Sequence, residues 1–366
     1  MKITFDSQIF CIQEYGGISR YFCALASQLS QIPRVEPIIV APLHFNRHLQ
    51  ALDKKLHIGA YLRRQKGTGR AMKSISSALF RPIALAMKPD VVHETYYSPR
   101  PSYGAKVPRA ITVYDMIHER YREHFPASDP MIENKRAAIL RADHIFCISE
   151  NTRRDLLDAY PVSENRVTVT YLGSEMPSLP AAADATGDIR PFLLYVGDRR
   201  GYKNFLGLVQ AYAASPWLRD NFRITCFGGG NFSPSERETF AALRLGDAHI
   251  RQIAGGDERL ARLYRNAALF IYPSIYEGFG IPLLEAMSLD CPIACSRSSS
   301  IPEVAGDAGE YFDPTDLDSI RHALENVLQS AHRRQELVAL GRLQRQRFSW
   351  ERCARETLRG YRELSA

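Results

Sequence analysis

IYPSIYEGFGIPLLEAMSL, residues Ile271 to Leu289, holds a strand, a glycine turn and a helix in one run. The apolar stretch Leu269–Tyr272 reads as a short strand. The chain then turns through Glu277-Gly278-Phe279-Gly280 and enters a helix at Pro282. Proline suits the first helical turn, where its missing N–H would be unpaired anyway. Two glycines around one aromatic let the backbone approach a ligand closely with its amides exposed. The helix that follows points its positive end into the same space, which makes an anion site. Glu277 stands before the turn, and Glu285 is expected in the first helical turn, where a carboxylate is stabilised as an anion and accepts from hydroxyls. Amides for phosphate and two carboxylates for hydroxyls are what a sugar nucleotide requires. Taken singly, a first-turn glutamate or a Gly-x-Gly turn is better explained by structure alone, so the weight rests on the combination.

Composition narrows the class. A chain of 366 residues favours two domains. Apolar residues at 45% can fill large cores, and charged residues at 24% are ordinary for a globular protein. No run of 18 apolar residues occurs, so no membrane span is expected. Met1–Asp6 leads straight into a strand, without the apolar core and cleavage site of a signal peptide. The seven cysteines are scattered, which suits reduced core thiols in a cytoplasmic protein. Net charge is +7, and the surplus is local: Arg47–Lys88 holds ten Lys/Arg against one acid, Asp53. Such a segment is either a solvated face or a docking surface for an anionic partner. Nucleic acid is not the expected partner, because no recognisable nucleic-acid-binding module is present.

The chain opens with strand Lys2–Asp6, the turn Tyr15-Gly16-Gly17 and an amphipathic helix from Ile18 to Ala26. That is the start of a Rossmann-like unit, and Gly16 and Gly17 can bring amides near a phosphate or simply make a tight turn. There is no Gly-x-Gly-x-x-Gly, so dinucleotide binding is not expected. Further strands are read at Val35–Ala41, Asp90–Glu94, Arg109–Asp115, Asp143–Ile148 and Val167–Tyr171. His118 follows a strand's carboxyl end, where sites gather in parallel sheets, while His144 begins a strand and reads as structural. Gly173–Asp188 has linker composition. The second half, with strands also at Phe222–Phe227 and Pro292–Ser296, restarts with strand Pro191–Gly197, then Asp198-Arg199-Arg200-Gly201-Tyr202-Lys203. Two cations at a strand end suit a diphosphate, arginine as a planar fork and lysine as a point charge. Arg200 competes with Arg199 for the first role. Asp316-Leu317-Asp318 lies at a helix start, so capping explains it better than metal binding.

Glu277 and Glu285 with Gly278-Phe279-Gly280-Ile281-Pro282-Leu283 between them resemble the signature of the retaining glycosyltransferases of family 4. The resemblance extends over nearly the whole chain and is weakest between Arg47 and Lys88. It implies the GT-B fold, an α/β architecture of two Rossmann-like domains facing each other across a cleft. Residues 1–175 would bind the acceptor, 176–190 would be a linker, 191–347 would bind the nucleotide sugar, and 348–366 would cross back to the first domain. It also implies that Arg199 and Lys203 bind the donor diphosphate and that Gly278, Phe279, Gly280 and Leu283 build the phosphate-facing tip. Glu277 and His118 would serve the transferred sugar, Glu285 the ribose, and Gly16 and Gly17 the phosphates and acceptor. No cofactor and no metal are implied beyond the nucleotide-sugar donor. The basic segment Arg47–Lys88 would face the acceptor and the inner face of an anionic membrane. Tyr195-Val196-Gly197, Tyr202–Phe205 and Tyr114–Glu119 further resemble mannosyltransferases that build bacterial surface polysaccharides such as O-antigen. GDP-mannose is therefore the expected donor, with UDP-sugars second, and a saccharide or lipid-linked saccharide the acceptor. The competing readings are a GT-B sugar-nucleotide epimerase, which would turn over donor alone, and a non-catalytic binding subunit, which would have no need to keep Arg199, Lys203, Glu277 and Glu285.

Overall fold

The computed structural model describes residues 1–64, 67, 69–104, 106–177 and 190–364. Most of the expected linker, residues 178–189, and Lys66 of the basic segment lie outside the described residues. The chain forms two compact units, one of Met1–Gly173 with Ser349–Ala366, the other of Ser174–Phe348.

The first unit is built on a seven-stranded sheet: β1 (Lys2–Phe5), β2 (Glu36–His44), β3 (His57–Tyr61), β4 (Val91–Glu94), β5 (Arg109–Val113), β6 (His144–Cys147) and β7 (Val167–Val169). Its order is β3-β2-β1-β4-β5-β6-β7, with every pairing parallel. The second unit carries β8 (Phe192–Val196), β9 (Arg223–Phe227), β10 (Ile250–Ile253), β11 (Leu269–Tyr272), β12 (Ile293–Ser296) and β13 (Gly309–Phe312), in the order β10-β9-β8-β11-β12-β13 and also all parallel. Parallel strands need crossover helices, so both sheet faces are covered and central strands become continuous apolar runs. Phe192–Tyr195 and Leu269–Tyr272 are buried at every position for this reason. Leu193, Tyr195, Ile224 and Ile271 meet Phe205, Leu208 and Tyr212 from one helix and Ile320, Leu324 and Val327 from another in one core. Each such side chain contributes about 1.5–3 kcal/mol when fully buried.

The strand order reverses beside β1 in one sheet and beside β8 in the other. Crevices at such switch points, outside the carboxyl ends of the strands, are where ligands bind in open α/β sheets. In the second unit those ends are the loops after β8 and β11, which are hydrogen-bonded partners: Ile275 N–H donates to the Tyr202 carbonyl at 2.7 Å. Three strands were not anticipated from sequence, β3, β10 and β13, and all three are sheet edges. Edge strands lack burial on two sides, and HIGAY and IRQI accordingly carry no apolar run. The helix Leu317–Gln329 stops at Ser330, whose hydroxyl caps a second helix, Ala331–Gln344, by accepting from Arg333 N–H. Asp316 caps a helix as the sequence suggests and Ser149 caps another, and His144 is buried in β6 against Thr168. The seven cysteines are free and buried.

The last helix, Trp350–Leu364, is part of the first unit. Gly360 brings it so close to β6 that an added Cβ would meet Phe146 at 2.7 Å. A buried polar chain runs from this helix into the sheet. The Tyr361 hydroxyl bonds His93 Nδ1 at 2.5 Å, His93 Nε2 meets the Thr112 hydroxyl at 3.0 Å, and Thr112 meets the Tyr21 hydroxyl at 3.1 Å. Burial, with a smaller contribution from His144, pushes the His93 imidazole down to about 3. The unfolded chain binds a proton at His93 near pH 6.5. The folded one does not, so stability is lost as pH falls below that value. Equilibrium urea unfolding should show about 1.4 kcal/mol lost per pH unit from this residue between pH 6.5 and its folded pKa. His93→Gln should lower stability at pH 7.5 yet flatten that slope, and an unchanged slope would contradict the assignment.

Candidate active site

The loop after β11 is held rigidly from below. Glu277 N–H donates to Ser299 Oγ at 2.8 Å, and Ser300 Oγ donates to the carbonyls of Glu277 and Phe279 at 2.9 and 3.0 Å. Gly280 caps the helix Ile281–Ser288 with φ +110°, and a Cβ there would also meet Leu283 Cδ1 at 2.9 Å. Only glycine adopts that conformation without strain. Phe279 and Leu283 are buried, the former edge-on to Phe348, so both anchor the tip from inside. Glu285 differs from the expectation. It is the fifth residue of the helix, in the second turn, and no acidic residue occupies the first. Side chains on a helix lean toward its N-terminus, which carries the carboxylate back toward the tip. It is buried and accepts from the Tyr264 hydroxyl at 3.1 Å. Burial and the neighbouring Glu285 push the Tyr264 phenol well above its ordinary value, so it stays a donor.

Lys203 closes a short turn, Gly201–Lys203, after β8. Its ammonium lies 2.7 and 2.9 Å from the two carboxylate oxygens of Glu277. Tyr272 is bonded to the same carboxylate, and burial together with Glu277 raises its phenol far above the usual range. Arg199 is buried rather than extended into a cleft. Its Nε donates to Glu236 at 2.7 Å, Nη1 to the Gly228 carbonyl at 3.1 Å, and Nη2 to the carbonyls of Gly230 and Asn231 at 3.1 Å. Its plane lies over Phe232, with 4.8 Å to the ring centroid. Arg199 therefore shapes the Gly228–Gly230 turn. A side chain at Gly229 would collide with it, at 2.5 Å from Nη1. Arg200, the competitor, is on the surface and paired with Asp198.

In the first unit, Gly16 caps the helix Gly17–Leu29 in extended backbone, and the space beside Gly17 is open. The Gln13 side chain accepts from the Ser19 N–H in that first turn. His118 lies at the carboxyl end of β5, stacked on Phe125 with 3.8 Å between centroids, and its Nε2 is 3.8 Å from Asp129. Burial and then the charge of Lys135 lower its pKa, against Asp115, Asp129 and Glu119. The second part of the basic segment forms the helix Gly69–Met87, whose buried stripe is Met72, Ser76, Phe80 and Ala84. Ile75, Leu79 and Leu85 are exposed, beside exposed Lys73 and Arg81. Among the described residues no helix is long and apolar enough to cross a membrane. No three His, Cys, Asp or Glu side chains among them gather closely enough to hold a metal.

The structure thus brings Lys203 and Glu277 into direct contact, with Glu285 on the helix behind the same tip, while Arg199 is engaged one loop away. Sequence reasoning missed Glu236, Tyr264, Tyr272, Ser299 and the buried Lys135. Glu236 was readable in part, because Ser233-Pro234-Ser235-Glu236 has the S-x-x-E form of a capping box, and both its bonds are present.

A family model described as Glycosyltransferase Family 4 matches residues 15–175, and one described as Glycosyl transferases group 1 matches residues 184–344. The chain belongs to the family 4 glycosyltransferases. It is 28% identical over 358 residues to O-antigen chain mannosyltransferase B of Escherichia coli, covering 93% of this chain and 89% of that protein. It is 27% identical over 319 residues to the serotype-specific mannosyltransferase WbdA of Escherichia coli, covering 80% of this chain but 39% of that longer protein. Among solved structures, a glycosyltransferase from Rickettsia africae superposes with a TM-score of 0.74 at 17% identity, covering 99% of this chain and 98% of that one. The two parallel-sheet units are those of the GT-B fold.

Glu236 carries both the capping box and Arg199. Burial raises its carboxyl, but the bonds from Arg199 and Ser233 outweigh this and hold it below its ordinary value. The pairing therefore stabilises the fold above the carboxylate range and is lost as pH falls through it. Glu236→Gln should cost about 2 kcal/mol at pH 7 in urea unfolding. The gap to the parent protein should close on acidification; a pH-independent gap would assign the loss to packing.

Proposed function

We propose that this glycosyltransferase moves mannose from GDP-mannose to a saccharide or lipid-linked saccharide acceptor of an O-antigen-type surface polysaccharide, with retention and without a metal. The observation that carries the reading is the Lys203 ammonium held on both oxygens of Glu277 beside the Gly278–Gly280 tip. Breaking the glycosidic bond builds negative charge on the leaving diphosphate and positive charge on the sugar ring. Lys203 and the tip amides are suited to the first, and Glu277 to the second and to the sugar hydroxyls. Preorganised donors of this kind contribute ~3 kcal/mol each. Glu285, with Tyr264 fixing its carboxylate, holds the ribose hydroxyls. Arg199 supports the diphosphate site through the Gly228–Gly230 turn. His118 presents an uncharged imidazole to the sugar, and Gly16 and Gly17 offer backbone amides. Glu277 is engaged by Lys203 and Tyr272, which blunts it as a nucleophile and favours attack by the acceptor hydroxyl on the same face of the sugar. The mannosyl assignment draws on the two Escherichia coli relatives.

A thermal-shift panel tests the donor. GDP at a hundred times its dissociation constant should stabilise the protein by ~2.7 kcal/mol, with UDP and ADP needing far higher concentrations. Glu285→Ala should abolish the shift, and Lys203→Ala should lower kcat by about 10²–10³-fold. Preference for UDP would move the donor, and an unaffected Glu285→Ala would sink the site. Turnover in excess chelator tests metal independence.

The helix Gly69–Met87 supports peripheral binding at the cytoplasmic membrane face, since it exposes apolar and cationic side chains together. Co-sedimentation with vesicles should need anionic lipid and weaken with salt. Ile75→Asp with Leu79→Asp should abolish it while leaving turnover on a soluble acceptor intact.

A further inference from the structure

Lys135 is among the most deeply buried side chains of the protein, at 1% exposure. It lies on the helix Met131–Arg141, whose other buried positions, Ala138 and Ile139, are apolar. Removing an ammonium from water costs several kcal/mol before any partner is counted. An apolar residue would seat the helix without that cost, so the charge calls for another explanation. Its two hydrogen bonds go to one short loop: the Asp115 carbonyl at 3.0 Å and Glu119 Oε2 at 2.8 Å. These brackets stand three residues before and one residue after His118. The other oxygen of Glu119 accepts from the Tyr160 hydroxyl at 2.7 Å, and Ile117 N–H donates to Asp115 Oδ1 at 3.1 Å. The Tyr97 ring lies 5.5 Å from the ammonium. The loop is thereby held at Asp115, Ile117 and Glu119, while the His118 imidazole between them stacks on Phe125 and keeps a buried Nδ1 without a hydrogen bond among the described residues.

We propose that Lys135 is a positioning residue for glycosyl transfer, which sets the loop Asp115–Glu119 so that His118 is presented at the end of β5 in one fixed orientation. This rests on the transferase reading given above. Lys135 also controls the charge of the ring it positions. His118 faces three carboxylates, Asp115 and Glu119 on its own loop and Asp129 before the next helix, with Lys135 the opposing cation and the phenols of Tyr96 and Tyr97 beside them. Without Lys135 the carboxylates act unopposed, the imidazole takes a proton more readily, and it is drawn to Asp129.

Three variants test this: Lys135→Met, Lys135→Arg and the double variant Lys135→Met/Glu119→Gln, which removes both charges of the pair. Lys135→Met should lower kcat on the order of 100-fold, the scale of an ångström of misplacement, with little change in donor KM. The acid limb of its pH–rate profile and the NMR titration midpoint of the His118 imidazole should both move to higher pH. Lys135→Arg, which keeps the charge, should return that midpoint close to its original place. The double variant should recover thermal stability but not turnover, and it decides the matter if Lys135→Met does not fold. Full activity with an unshifted midpoint in Lys135→Met, or recovery of both stability and turnover in the double variant, would show Lys135 to be merely structural. If the unmodified protein transfers no sugar from any donor, the transferase reading fails, while the imidazole titration still reports whether Lys135 governs His118.

Discussion

A parallel strand cannot pair with its predecessor through a tight turn. The chain must cross over, in practice through a helix, before it can lay down the next strand in the same direction. Most of what distinguishes this molecule descends from that constraint. It sends every strand's carboxyl end to one edge of its sheet and starts the crossovers there. At the two places where the order reverses, neighbouring loops diverge to opposite faces. The loops after β8 and β11 border such a reversal, and they bring Lys203 and Glu277 together although 74 positions separate them in sequence. In the first unit the loops after β1 and β5 carry Gly16, Gly17 and His118. The candidate residues of both units thus follow the carboxyl ends of strands, those of the second unit at the reversal itself.

Several charges are held largely away from water, each paired at close range. Lys203 faces Glu277, Arg199 faces Glu236, Lys135 faces Glu119 and Arg141 faces Glu94. Pairs of this kind contribute little net stability, because desolvation consumes most of the Coulombic gain. What they supply is a definite geometry: a guanidinium with four acceptors around it holds the glycine turn to one shape. At Gly229, inside that turn, a Cβ would run into the guanidinium itself.

Much of this was legible in the sequence, for reasons that particular residues make plain. Central strands announce themselves because burial on both faces demands runs such as FLLYV, and the tip was readable because Glu277, Gly278, Gly280, Pro282 and Glu285 lie within nine residues. Edge strands such as HIGAY hid because half their surroundings are solvent. Glu285 falls in the second turn rather than the first because the helix already starts at Ile281, one residue before the proline that marks it in the sequence. Partners distant in sequence were the least accessible. Nothing near Arg199 indicates that Glu236, 37 residues on, would take its Nε. Nothing around Lys135 indicates a buried ammonium rather than one more surface charge on a helix.

The division of the chain into Met1–Gly173 with Ser349–Ala366 on one side and Ser174–Phe348 on the other bears on how the molecule is made. Synthesis on the ribosome releases all seven strands of the first sheet long before the helix bearing Tyr361. Until that helix emerges, His93 lacks its phenolic neighbour and the bed around Phe146 stays uncovered. The second unit, contiguous in sequence, can collapse as soon as it leaves the exit tunnel, since domains generally fold as units during translation. The lobe that begins the chain is therefore the last to be finished, and a nascent polypeptide carries an unsealed apolar surface for the time it takes to translate its other half.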